Sequence, residues 1–170
     1  PSLDMPYSDE DVFDGDELLA LFVKPDWSPD LFRSHMYPCH LGVYRRSLAE
    51  EIGGFRTEFD GSQDYDFVLR YTERTDRIVH IPRVLYHWRS HKGSVAENLA
   101  AKPHAFAAAR RALSEHMERL GVEADVHFDA LRCWYRVDYR ADTDQAVALI
   151  LPLTKTDEET TDALKRALRA

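Results

Sequence analysis

Apolar positions recur with two periods along this chain, and each period predicts elements. Tyr65, Val68, Leu69 and Thr72 fall at i, i+3, i+4 and i+7, one face of a helix that Ser62 is placed to cap. Phe106, Ala109, Leu113, Met117 and Leu120 form a longer stripe, with Pro103 near the first turn and Gly121 at the end. Ser28-Pro29 opens a short helix through about Ser34, and Arg45 to Ile52 is another, ended by Gly53. Strict alternation from Val84 to Arg89 puts Val84, Tyr86 and Trp88 on one face and Leu85, His87 and Arg89 on the other. Further strands are expected over Leu18–Val23, Arg77–Pro82, Cys133–Arg140 and Met36–Tyr44, the last weakened by Pro38. Val122 to Arg132 shows no regular pattern. Ala146 to Leu151 is the most apolar run, followed by a helix that Asp157 caps with Leu164, Ala167 and Leu168 inward. The acidic Tyr7–Asp11 stretch reads as a loop at the end of an element, and residues 90–95 as a polar loop.

Strands mixed with amphipathic helices imply an α/β domain. Composition changes this picture in three ways. With 44% hydrophobic and 31% charged residues the chain has a globular, water-compatible make-up, and no apolar run reaches the length of a membrane span. A net charge of −8 argues against nucleic acid as the main partner. Cys39 and Cys133 are far apart and lack metal-ligand spacing, so reduced thiols and a cytoplasmic setting are the simplest reading. The chain opens on Pro1 with no charged-then-apolar leader pattern, as expected of a piece of a longer protein.

The candidate chemistry is carboxylate-rich. Asp9, Glu10 and Asp11 offer oxygen ligands suited to Mg2+ or Mn2+. Asp64 and Asp66 lie in the first turn of the central helix, after the Gly53-Gly54 turn. Asp66 has Arg70 four residues on and is read as a helix ion pair. Asp64 has no local cation and reads either as a catalytic base or as a complement to the helix dipole. His87, between Tyr86 and Trp88, is either a core histidine or a metal ligand. His35, His40, His80, His91 and His104 have no paired spacing and are assigned no role.

Five stretches in order, YSDEDV, FVKPDWSPDLF, HLGVYRRSLAEEIGGF, GSQDYDFVLR and IPRVLYHWR, resemble the family 2 glycosyltransferases with the GT-A fold. The similarity runs from Tyr7 to Arg89 and more loosely to Gly121. It implies a partial GT-A mixed sheet flanked by helices, with the N-terminal nucleotide-binding half missing. It implies that Asp11 and His87 bind the metal, that Asp9 lies near the ribose or the metal's water shell, and that Asp64 is the base with Asp66 in support. Gly53, Gly54, Phe55, Gln63, Trp88 and Arg89 would line the sugar or acceptor side. Gln63 stands where the family has Glu. The implied partners are a nucleotide-diphospho-sugar donor and a glycan or lipid-linked glycan acceptor at the inner membrane face. Residues 1–121 would form the metal and acceptor side and 122–144 a connector. Residues 145–170 would begin a second glycosyltransferase domain or complete the first sheet. A non-catalytic glycan- or protein-binding remnant is the alternative, and another metal-dependent phosphate enzyme a third reading.

Overall fold

Ten residues from Met5 to Asp14 form β1, and the mixed sheet is built on them. The strand turns at Gly15 into β2 (Glu17–Phe22), which pairs with it antiparallel from Asp14↔Glu17 to Glu10↔Phe22. Its other neighbour is β3 (Ile78–Arg89), which runs parallel from Met5↔Ile78 to Phe13↔Arg89. The strand order is β2-β1-β3. Parallel pairing requires a long crossover. Here it holds α1 (Pro29–Ser34), α2 (Arg46–Glu51), a 3-10 turn (Thr57–Phe59) and α3 (Gln63–Thr72). After β3 come α4 (Pro103–Arg119) and an antiparallel pair, β4 (Ala124–Asp129) and β5 (Trp134–Tyr139). The computed structural model describes residues 3–90, 103–140, 161–162 and 165–166. It divides into units Pro1–Arg140 and Ala141–Ala170. In the second unit Thr161, Asp162, Lys165 and Arg166 are helical, and Lys165 lies 3.4 Å from Asp162. The expected strand at 146–151, the cap at Asp157 and the inward Leu164, Ala167 and Leu168 lie outside the described residues, as does the polar loop from residue 91.

Four expectations are corrected. The acidic triplet is not in a loop but within β1, where partners from other elements meet each carboxylate. The two strands expected on either side of Pro82 are one strand. Proline cannot donate to a ladder, and β3 accommodates it by bulging. Between Ser8 and Glu10 on β1, β3 advances from Ile81 to Tyr86. Residues 36–44 form a loop, not a strand, joined to β1 by a single bridge between Tyr7 and Gly42. Residues 124–129, expected to be irregular, form β4. Its Val126 is buried, and Phe128 stacks 4.4 Å from Phe106 of α4, so a weak alternation is fixed by the helix beside it.

The core lies between the sheet and α3. Tyr65 and Phe67 to Tyr71, apart from the charged Arg70, bury apolar side chains together with Met5, Tyr7, Phe32 and Phe59. Leu113 and Met117 of α4 join them, whereas Leu120, expected in the stripe, is 41% exposed. Ser62 sits at the N-cap position, but its hydroxyl donates to the Ala105 carbonyl at 2.8 Å instead of capping the helix. The edge strand β2 leaves Leu18, Leu19, Leu21 and Phe22 exposed.

Asp66 is fully buried. Arg70 donates to its Oδ2 through Nε at 3.0 Å and Nη2 at 2.8 Å, and Arg56 donates Nε at 3.1 Å. Arg70 also donates to the carbonyls of Ile52 and Gly54, each at 2.6 Å, so it holds the turn at Gly53 (φ +82°) and Gly54 (φ +66°). Glycine suits that left-handed backbone. Asp66 is therefore the buried anchor that ties α3 to this turn.

Two outcomes follow. Asp66→Ala leaves Arg70 without its anion and Arg56 with Glu115 alone, and breaking a buried pair costs about 3–5 kcal/mol. Urea unfolding should show a loss of that size, and a loss under about 1 kcal/mol would mean that the arginines find other partners. The second outcome concerns pH. Hydrogen bonds from Thr75 and Arg45, with Arg77, hold Asp4 far below the usual carboxylate range against its desolvation. Burial pushes Asp66 up, but Arg56 and Arg70 outweigh it and hold it low. A depressed folded value stabilises above the unfolded value, near pH 4, and that contribution is lost as pH falls through the folded one. Stability should therefore decline below about pH 4, less steeply in Asp66→Asn. An equal decline in both would exclude Asp66 as a source.

Candidate functional site

Three successive acids of β1 are buried, with Asp9 4%, Glu10 5% and Asp11 7% exposed. Charged side chains are rarely buried without partners. Each of these acids meets a different histidine. His80 Nε2 lies 2.8 Å from Asp9 Oδ1, His40 Nδ1 3.0 Å from Glu10 Oε2, and His87 Nδ1 2.7 Å from Asp11 Oδ1. Asp11 and His87 are register partners across β1 and β3. His80 and His87 are seven positions apart, an odd number that places them on opposite faces of a regular strand. The bulged pairing between Ser8 and Glu10 resets the phase, so both meet acids of β1.

Lys24 completes the arrangement. Its backbone N–H donates to Asp9 Oδ1 at 2.9 Å. Its ammonium lies 3.8 Å from Glu10 and donates to the carbonyls of Pro38 (2.8 Å) and His40. Burial lowers the lysine's proton affinity, partly offset by Glu10. Burial also pushes Asp9 up, but the Lys24 N–H and His80 prevail and hold it below the usual range. His80 further lies 3.5 Å from Asp26 and stacks on Tyr7, with ring centroids 5.1 Å apart. Asp9 is thus held by the fold on its Oδ1.

The charges of the β1 acids and of the start of α3 are both felt at the loop over 36–42. Burial pushes the Cys39 thiol up to about 12, and the charges of both Glu10 and Asp64 add to the rise. Tyr44 is likewise raised by burial and then by Asp64. Asp64 itself is exposed, with Oδ1 accepting from the Tyr65 N–H at 2.8 Å. Asp64 and Asp66, two residues apart, have opposite environments. Gln63 is exposed and accepts from the Gly61 N–H at 2.8 Å. Phe55 is 65% exposed, its ring 4.9 Å from Phe67. Trp88 is half-buried beside His40, and Arg89 is exposed at the end of β3.

Asp11 and His87 join two donor types that a divalent cation accepts, a carboxylate oxygen and an imidazole nitrogen. Among the described residues no group of three or more His, Cys, Asp or Glu forms a ready ligand set. A two-residue donor set fits a cation whose remaining positions come from a phosphate-bearing ligand and water. A cavity of about 1300 Å³ lies elsewhere, between Thr57, Asp60, Arg111, Ser114 and Asp125, and none of the β1 acids lines it. No helix among the described residues is long and apolar enough to cross a membrane.

His40, His80 and Lys24 carry the site although their spacing gave no reason to select them. The available signal was Glu10: a third buried acid on a central strand needs its own cation or donor. Lys24→Met should leave two carbonyls and Glu10 short of a donor and cost about 2–4 kcal/mol. In a Cys133→Ser background it should also speed labelling of Cys39 by a thiol reagent, because the ammonium holds the loop that buries that thiol. Unchanged labelling would show that the loop is held without Lys24.

No family model matches the sequence. Over 156 residues the chain is 40% identical to the uncharacterized protein y4gI of Sinorhizobium fredii. Over 153 residues it is 42% identical to the O-antigen biosynthesis protein RfbC of Myxococcus xanthus. Each match covers 89% of this chain but only 17% and 12% of the two relatives, so the chain corresponds to a small part of either.

Proposed function

We propose that this chain is the metal- and acceptor-side part of an inverting, family 2-like glycosyltransferase with the GT-A fold, acting in surface polysaccharide synthesis. It would move a sugar from a nucleotide-diphospho-sugar to a hydroxyl of a glycan or lipid-linked glycan. The observation that carries the reading is the 2.7 Å contact between Asp11 and His87, which lie 76 residues apart in two separate motifs. The similarity to a protein named for O-antigen biosynthesis supports the substrate class.

In this reading Asp11 and His87 would hold Mg2+ or Mn2+, which would displace the proton that His87 Nδ1 donates to Asp11 Oδ1. When bound, the cation stabilises negative charge on the departing diphosphate. Asp64 is the general base. Its Oδ1 is engaged by the Tyr65 N–H, which leaves Oδ2 to take the acceptor proton. The acceptor oxygen forms its bond to the anomeric carbon as the bond from that carbon to the diphosphate oxygen breaks, and the proton passes to Asp64. Asp66 acts through Arg70 on the Gly53-Gly54 turn and is a positioning residue. Asp9 fixes β1 through Lys24 and His80.

Thermal unfolding of the chain with Mn2+ and UDP- or dTDP-sugars tests the donor side. Metal-dependent stabilisation that Asp11→Ala removes is expected, and no stabilisation at millimolar ligand overturns the reading. Asp64→Asn should slow transfer by about 10²–10⁴-fold while donor binding is kept. Loss of both together would mean that Asp64 is not the base.

A further inference from the structure

The middle acid of β1 has no step in that scheme, yet it is as well served as its neighbours. Glu10 is 5% exposed and is met by the Lys24 ammonium on one side and by His40 Nδ1 on the other. A carboxylate accepts, so Nδ1 donates and the proton on that nitrogen is fixed. His40 Nε2 is left with no hydrogen-bond partner among the described residues, on a side chain that is 42% exposed. The imidazole lies nearly parallel to Tyr86, with centroids 4.8 Å apart and planes at 20°, and meets Trp88 edge-on at 5.3 Å. Its backbone is pinned by Lys24, which takes the carbonyls of Pro38 and His40.

An aromatic cluster carrying one oriented, unsatisfied polar atom is the combination a sugar ring needs. Its C–H face packs on aromatic surface and its hydroxyls need a directed partner. We propose that His40, backed by Tyr86 and Trp88, seats a pyranose ring, with Nε2 hydrogen-bonding a ring hydroxyl and Glu10 holding the imidazole in register. His40 is then a positioning and specificity-determining residue for the sugar. This rests on the transferase reading for its purpose but not for its chemistry.

The test is an NMR titration of the full 170-residue chain. The probes are methyl glycosides of glucose, galactose, mannose, rhamnose and N-acetylglucosamine, then UDP with Mn2+, then the matching UDP- or dTDP-sugar. At least one glycoside should shift the Trp88 indole and His40 ring signals. His40→Ala should weaken that glycoside at least about tenfold, the usual scale for losing one directed hydrogen bond and its packing. His40→Gln, which keeps a polar group at the same reach, should bind in between and change the order of preference. If the alanine variant fails to fold, as read by circular dichroism, the glutamine variant decides. Shifts seen only with the nucleotide-sugar place the ring on the donor, and shifts with free glycosides place it on the acceptor side. The proposal is overturned if no sugar moves Trp88 or His40, if shifts cluster elsewhere, or if both variants bind as the parent does. UDP with Mn2+ is a separate arm. Sugar binding without nucleotide binding removes the transferase reading and keeps the sugar seat, and the reverse removes the seat alone.

Discussion

Burying three consecutive carboxylates in the middle strand of a sheet is the constraint that shapes this molecule. Asp9, Glu10 and Asp11 are each less than a tenth exposed, and like charges at strand spacing repel strongly where water is excluded. The fold answers with three imidazoles and one ammonium drawn from three places. His80 and His87 come from β3, His40 from the loop after α1, and Lys24 from the segment just past β2. The parallel pairing of β1 with β3 is therefore more than a backbone ladder. It delivers hydrogen-bond donors without which carboxylates of β1 would be buried unpaired, and the bulge at Pro82 is what lets one strand deliver two of them.

Much of this was legible in the sequence where one face of an element was apolar. The helix at 63–72, the Ser28-Pro29 start and the alternation of Tyr86 and Trp88 against His87 all appear as their periods require. Asp66 with Arg70 was legible as a local pair, because four residues on a helix bring them together. The failures share a cause. The placement of β1, the continuity of β3 through Pro82, the loop at 36–44 and β4 are all set by partners distant in sequence. Alternating acids look like a loop until the histidines arrive, and a proline looks like a strand end until a bulge accommodates it. The Asp9–His80, Glu10–His40 and Asp11–His87 pairs span 71, 30 and 76 positions, and no periodicity reaches that far.

The two aspartates of α3 show how one helical turn separates a buried anchor from a solvent-facing carboxylate. Residues two apart on a helix point about 200° from each other, so if one faces the core the other faces solvent. Asp66 faces inward and is spent on Arg56 and Arg70. Asp64 is exposed, its charge helps to raise the Tyr44 and Cys39 pKa values, and among the described residues only its Oδ1 has a hydrogen-bond partner, the Tyr65 N–H. The buried member fixes the orientation of the exposed one. Through Arg70 it also fixes the glycine turn that presents Phe55.

Lys24 is the point at which these arrangements join. Its main chain serves Asp9, its ammonium faces Glu10, and the same nitrogen gathers the carbonyls of Pro38 and His40. A compact ammonium can direct three protons to acceptors disposed around a point, which a planar guanidinium cannot reproduce. The cation therefore sets the distance between the β1 acids and the loop carrying His40. Any ligand that loads the acids with a metal and a diphosphate would draw on the same charge balance that holds that loop. On the proposed reading, donor side and sugar seat would be coupled through this one buried lysine.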